Sequence, residues 1–258
     1  MSWLSQLDLS RVLLFTLVFT RVSGLVMTAP IYGTGEVPAQ VRVLMAFGVA
    51  LVILPSQWGA AVPDPGSLLH GLIYVASELL IGLSLGLGIT IVFSGIQLAG
   101  QIVGQASGLQ LADVLDPAFD TTVSLFSRLL FLVALAAFVS IGGHRVVMAG
   151  LLDTFQAIPP GTAAVPAAAV QVCTTLLAQS FALAVRAAAP VMVALLLATL
   201  VLGLISRTLP QLNVMALGFG LNAMLTLGVL GLALGGAVMI FQQQLEPALE
   251  MVLECLRG

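Results

Sequence analysis

Apolar residues run through the chain in long stretches that glycine, proline and charged positions interrupt only briefly, and these interruptions divide it into about six helical blocks. The first spans about Leu9 to Thr28 and stops at Ala29-Pro30, because the residue before a proline is driven out of the helical region. A polar turn from Tyr32 to Gln40 leads to a second block, about Val41 to Val62, which Pro55 breaks. Pro63-Asp64-Pro65-Gly66 then precedes a third, about Ser67 to Gly108, and a loop from Ala112 to Asp120 holds three aspartates. The fourth, about Thr121 to Phe155, is split at Gly142-Gly143 and closed by Pro159-Pro160-Gly161. The fifth runs from about Ala167 to Ile205 with Pro190 inside it, and the sixth from about Leu212 to Gln242.

The third and fifth blocks reach roughly 40 residues, or about 60 Å as continuous helix, twice the roughly 30 Å of a bilayer's hydrocarbon core. Each is expected to bend back, tilt or extend beyond the membrane, with a hairpin or kink at Pro190 and a weak point over Gly82 to Gly88. Past Gln242 the pattern changes. Leu245, Leu249, Val252, Leu253 and Leu256 share one helical face and Glu246, Glu250 and Glu254 another, which predicts a short amphipathic acidic helix at about 243–257. A solvated face is the plainer account of that acidic stripe, and a partner-docking helix the sharper one.

Composition fixes the class. Of 258 residues, 60% are apolar and 7% charged, with a mean hydropathy of +1.16, too little charge to solvate a globule of this size. Leu79–Ala112, Thr154–Val185, Ala187–Ser206 and Thr208–Leu245 carry no charge, and each is long enough to span a bilayer. A transmembrane barrel would alternate apolar and polar residues, and no alternation occurs. The expected fold is therefore all-α: a single multi-helix membrane domain over 1–258, with no polar segment long enough for a separate soluble domain. Arg11 precedes an apolar run, but Asp8 and Arg21 argue for a retained first helix over a signal peptide. The net charge is -3 and every basic residue is an arginine, none of them clustered as nucleic-acid binding requires.

Enzyme signatures are lacking. Gly82-Leu83-Ser84-Leu85-Gly86 matches G-x-S-x-G as a string, yet it lies inside a charge-free helical run where no strand-to-helix elbow can form. His70 and His144 have no ligand at helical spacing, and Cys173 and Cys255 sit in no metal or redox motif. No catalytic residue, metal or cofactor is expected.

The informative polar residues lie inside apolar blocks: Arg21, Glu78, Arg186 and Arg207. A charge at the bilayer centre costs roughly 2.5 to 3.5 kcal/mol on insertion scales, so such residues pair, line water or approach an interface. Glu78 has two candidate partners, Arg21 and Arg207. A static pair that fixes helix register is the plainer account, an ion-coupling pair of a secondary transporter the alternative. Gly100, Gly104 and Gly108 form a small-residue seam at i, i+4 spacing, as do the pairs Gly82 with Gly86 and Gly231 with Gly235. Gln101, Gln105 and Gln110 lead to Asp113, Asp116-Pro117 and Asp120, and a second polar run, Arg207 to Met215, carries Pro210, Gln211 and Asn213. Irregular polar backbone at membrane depth is tolerated only inside protein or along a cavity, which makes both runs pore or subunit-contact candidates.

These runs also carry a resemblance. Arg21 with Ala29-Pro30-Ile31, Val37-Pro38 and Val41-Arg42; Glu78-Leu79-Leu80-Ile81-Gly82; Ala99-Gly100 through Gly104, Gln105, Gly108-Leu109 and Ala112 to Asp116-Pro117; Gly143-His144; Leu152-Asp153-Thr154-Phe155 with Ile158-Pro159; and Pro210-Gln211-Leu212-Asn213-Val214 with Gly218-Phe219 follow in order. Together they resemble the FliR family of the flagellar type III export apparatus over nearly the full length. Where that family continues G-F-P, Gly220 follows Phe219 here. The resemblance implies a non-enzymatic subunit of the bacterial cytoplasmic membrane at the flagellar basal body. It would join FliP-like and FliQ-like subunits in a helical export gate, with an FlhB-like partner at the cytosolic mouth and unfolded substrates passing through. It further implies that much of the apolar chain faces other subunits rather than lipid, and that the loop around Gln105, Gly108, Gln110, Asp113, Asp116, Pro117 and Asp120 plugs the closed pore. The injectisome counterpart shares much of the pattern, and composition alone also admits a multi-pass secondary transporter.

Overall fold

A computed structural model describes residues 9–30, 37–60, 64–109, 124–162, 169–208 and 214–257. Among them are seven α-helices and no strand: α1 (Leu9–Thr28), α2 (Ala39–Ile53), α3 (Leu68–Ser107), α4 (Leu125–Ser140), α5 (Gly143–Ala157), α6 (Ala169–Thr208) and α7 (Val214–Arg257), with a 3-10 turn at Leu54–Gln57 after α2. Five of these segments are long and apolar enough to cross a membrane, or six if the α4–α5 pair makes one broken span. The fold is all-α and that of a multi-helix membrane protein.

The chain breaks mostly fall where local chemistry requires them. Pro55 sits in the first turn of the 3-10 segment that ends α2. Gly142 adopts φ +77°, ψ +24°, a left-handed conformation that glycine takes without Cβ strain, and so parts α4 from α5. Of the ways open to the two long blocks, folding back is excluded: the third is one unbroken helix through Gly82 to Gly88, and the fifth is continuous through Pro190, which forgoes the bond to the Arg186 carbonyl, so neither makes a hairpin. The acidic stretch at 243–257 is helical, but as the last part of α7 rather than an element of its own, since Pro247 lies within that helix without ending it.

The chain divides into two compact units: residues 1–91, 142–176 and 245–258, and residues 92–141 and 177–244. In the first, α1 buries Leu14, Leu17, Val18, Val22 and Leu25, a stripe at helical spacing. The first half of α3 meets it closely. A Cβ on Gly24 would lie 2.7 Å from the Leu79 carbonyl oxygen, one on Gly82 would overlap the Arg21 carbonyl, and one on Gly86 would overlap the Thr28 hydroxyl. Small residues thus let two backbones touch where apolar side chains gain little by leaving lipid. Beside this crossing, Thr90 Oγ1 donates to the Thr28 carbonyl oxygen at 2.6 Å and satisfies the end of α1. The last turns of α7 complete the unit: Val252 packs on Gly88, and Leu249 and Leu253 on Gly150 of α5, while Glu246, Glu250 and Glu254 stay exposed. The apolar face of the acidic segment is therefore covered by its own chain.

The second unit packs differently. Phe93 of α3 contacts the rings of Phe131 and Phe138 of α4 and Phe241 of α7, at centroid distances of 5.7, 5.6 and 4.9 Å and in edge-to-face geometry. Gly95 lies against Ser180 of α6 and Gly100 against the backbone of Phe126 and Ser127 of α4, whose hydroxyl donates to the Gln97 carbonyl.

Introducing one methyl separates the two kinds of glycine. Gly82→Ala is expected to destabilise by at least ~1–3 kcal/mol, since backbone must shift. Gly231→Ala, where a Cβ meets nothing within 4 Å, is expected to be neutral or slightly stabilising. Unfolding of the two variants in detergent measures the difference.

Candidate functional site

Within the first unit, two charges stand at zero exposure. Arg21 on α1 and Glu78 on α3 pair through Nε and Oε2 at 2.6 Å. The alternative partner for Glu78, Arg207, is exposed near the end of α6, and Arg186 is exposed within the same helix. The pairing follows from the Gly24/Gly82 crossing, which brings α1 and α3 close enough for the side chains to meet.

The remaining polar atoms of the pair are matched mostly by backbone. Arg21 Nη1 donates to the Thr154 carbonyl at 3.0 Å and to its hydroxyl at 3.3 Å, and Nη2 donates to the Ile158 carbonyl at 3.1 Å. These acceptors lie at the C-terminal end of α5, where the helix dipole is negative; the Thr154 carbonyl also accepts the Ile158 N–H, the Ile158 carbonyl lies past the last helical residue, and a guanidinium there acts as a cap. The Phe155 ring lies 4.3 Å from the Arg21 Cζ and adds a cation–π contact. Glu78 Oε1 accepts the Gly161 N–H at 2.9 Å, and Gly161 itself has φ +85° in the Pro159-Pro160-Gly161 turn. One ion pair thereby ties α1, α3 and the end of α5 together. Chemically the site is a buried ion pair in which both carboxylate oxygens are engaged and each guanidinium nitrogen donates.

Of the site residues expected from sequence, the structure unites Arg21 and Glu78 and leaves Arg207 apart from them. Gly100 makes the close approach foreseen for the seam, and Gly104 is buried. Gly108 does not belong to that seam. It follows the end of α3 in a left-handed turn at φ +74°, and a Cβ there would meet nothing within 4 Å. Gly231 and Gly235 make no close approach to any described residue either. Gln105 is exposed on the last turn of α3, and Gln110, Asp113, Asp116, Pro117, Asp120, Gln211 and Asn213 lie outside the described residues. Ser84 Oγ donates to the Ile81 carbonyl within α3, so G-x-S-x-G forms no elbow. Among the described residues, no group of three His, Cys, Asp or Glu could hold a metal. Thr154, Phe155, Ile158 and Gly161 escaped the reading of buried charges, because their contribution is largely backbone. Gly24 escaped the seam search, although Thr20, Gly24 and Thr28 repeat small residues at the spacing that marks a contact face.

The sequence profile of the bacterial export proteins, family 1, matches residues 12–248. The chain belongs to that family. The flagellar biosynthetic protein FliR of Caulobacter vibrioides is 31% identical to it over 246 residues, covering 93% of this chain and 96% of the relative. FliR of Escherichia coli K12 is 31% identical over 227 residues, 88% and 84% of the two chains, and FliR of Bacillus subtilis 31% over 215 residues, 81% of each. The Arg21 and Glu78 positions of this export protein fall within the matched region.

Removing one partner alone leaves an uncompensated buried charge, at a cost of about 3–5 kcal/mol. Glu78→Ala and Arg21→Ala are each expected to abolish accumulation of the protein in membranes, measured by immunoblot. The double variant Arg21→Met with Glu78→Met is expected to regain much of it, because apolar residues of similar volume often replace a buried pair without loss.

Proposed function

We propose that this export-family protein is a non-enzymatic core subunit of the flagellar type III protein export gate. In this reading residues 1–258 act as one membrane domain in the bacterial cytoplasmic membrane, at the flagellar basal body. The chain forms the export channel together with FliP-like and FliQ-like subunits, with an FlhB-like subunit at the cytosolic mouth. Its similarity to flagellar biosynthetic proteins FliR favours the flagellar apparatus over its injectisome counterpart.

The observation that carries the subunit reading is uncovered surface on helices too long for lipid alone. α6 and α7 have only 22% of their most apolar stretches buried, yet each helix is about twice as long as a bilayer core requires. Arg186 is exposed in the middle of α6, and lipid hydrocarbon is a poor cover for it. Protein neighbours or a water-filled passage accommodate such a helix. The buried Arg21–Glu78 pair, with both carboxylate oxygens engaged, supports the same reading over an ion-coupled transporter, since a coupling carboxylate must exchange its partners. The segment from Gln105 to Asp120 acts in this scheme as the plug of the resting pore.

Purification from flagellated cells tests the assignment. The chain is expected to leave the membrane in a stable complex with FliP-like and FliQ-like subunits. Recovery as a lone chain that carries out substrate-specific flux in liposomes would replace the export-gate reading with the transporter one. Deleting 105–120 within the complex is expected to raise ion conductance across a planar bilayer, and an unchanged conductance would remove the plug.

A further inference from the structure

α2 differs from the other described helices in what its two ends and its middle carry. Residues 43–55 are wholly apolar, Arg42 stands at one end, and Ser56, Gln57 and Trp58 stand at the other. One narrow stripe, Ala46, Ala50 and Ile53, is buried, and Phe47 packs edge-on against Phe15 and Phe19 of α1. Only 17% of this span is covered, the lowest share among the candidate spans. Leu44 is 69% exposed, Val52 80% and Trp58 66%.

We infer that α2 is the helix through which this subunit meets bilayer lipid, with Arg42 at the phosphate level of one leaflet and Trp58 at the interface of the other. An apolar helix without a polar face is solvated by hydrocarbon or buried in protein, and α2 is not buried by its own chain. The flanking residues decide between lipid and protein. Arginine extends an apolar stem and a phosphate-binding head towards the headgroups, and tryptophan is enriched where hydrocarbon meets headgroup. Among the described residues Arg42 donates only Nε, to the Val37 carbonyl at 3.1 Å, and its two Nη groups are available to phosphodiester oxygens. Arg42 also lines a groove of about 110 Å³ with Ser23, Met27, Ala39, Val43 and Ala46, room for a short stretch of one acyl chain beside the guanidinium. The far end is closed in a manner suited to the interface: Ser56 Oγ donates to the Ile53 carbonyl and Gln57 Nε2 to Ser56 Oγ.

Length agrees. From Arg42 to Trp58 the chain rises roughly 25 Å, at ~1.5 Å per helical residue and ~2 Å per residue through the 3-10 turn. The arginine stem reaches over most of the remainder of a roughly 30 Å core. α6 offers the contrast, because its exposed surface includes Arg186 far from either end. The inference does not depend on which subunits join the chain.

Nitroxide scanning tests it in the complex as purified and reconstituted into phospholipid. Leu44→Cys, Gly48→Cys, Val52→Cys and Trp58→Cys are labelled in a Cys173→Ser, Cys255→Ser background, with the unsubstituted background as blank. Lipid contact is expected to give strong relaxation by oxygen and little by a water-soluble nickel chelate, with the oxygen-to-nickel ratio highest at position 48 and falling towards position 58. Nickel access at positions 44, 48 and 52 would overturn the inference in favour of a water-lined face. Immobilised labels closed to both reagents would overturn it in favour of a protein cover, while leaving the subunit assignment intact. Arg42→Gln is expected to shift the ratio at position 44 while the complex stays assembled. An unchanged ratio would remove Arg42 from the phosphate boundary.

Discussion

A guanidinium and a carboxylate without access to water need each other and need more than each other. The attraction between Arg21 and Glu78 does not by itself repay the loss of hydration, which is several kcal/mol per ion even after relaxation. The deficit is met by carbonyls and an N–H that α5 and the turn after it supply. This requirement dictates the surrounding structure. α1 and α3 must approach closely enough for the pair to form, which glycines at positions 24, 82 and 86 allow, and α5 must end within reach of α1.

α3 is the helix on which both units are built, and it meets its neighbours by two different means. Its first half offers glycines and a carboxylate, so contacts there are close and specific in register. Its second half offers Phe93, Gly95 and Gly100, so an aromatic cluster fills one side while backbone approaches fill others. Dispersion and shape serve the second unit, and polar matching fixes the first. The last turns of α7 reuse the soluble-protein device of an amphipathic stripe, with Leu245, Leu249, Val252 and Leu256 inward and three glutamates outward.

Much of this was legible from sequence. Hydrophobic run length gave the helices, and Gly142 and Pro55 marked real ends because each has a conformational reason to interrupt a helix. Pro190 did not make the hairpin its chemistry allowed, because within a long apolar helix the loss of one backbone bond is tolerated. Arg21 and Glu78 announced themselves as charges in apolar surroundings. Choosing Arg21 over Arg207 required knowing which helices touch, and spacing along one chain does not contain that. The caps of the pair were hidden further, since backbone carbonyls are present at every position and only tertiary placement singles out those of Thr154 and Ile158. Glycine spacing was informative where a partner helix arrived, at Gly82, Gly86 and Gly100, and silent about Gly231 and Gly235, where none of the described residues does.

The cap that Arg21 places on α5 joins the first helix of the chain to one that begins more than a hundred residues later. On the ribosome Arg21 and Glu78 emerge well before Thr154, so the pair can form early, but most of the guanidinium's donors have no acceptor until the end of α5 has been made. α1 and α3 therefore mature only in company with α5, and the order of translation imposes an interval in which a half-solvated arginine must be sheltered by water or by the insertion machinery.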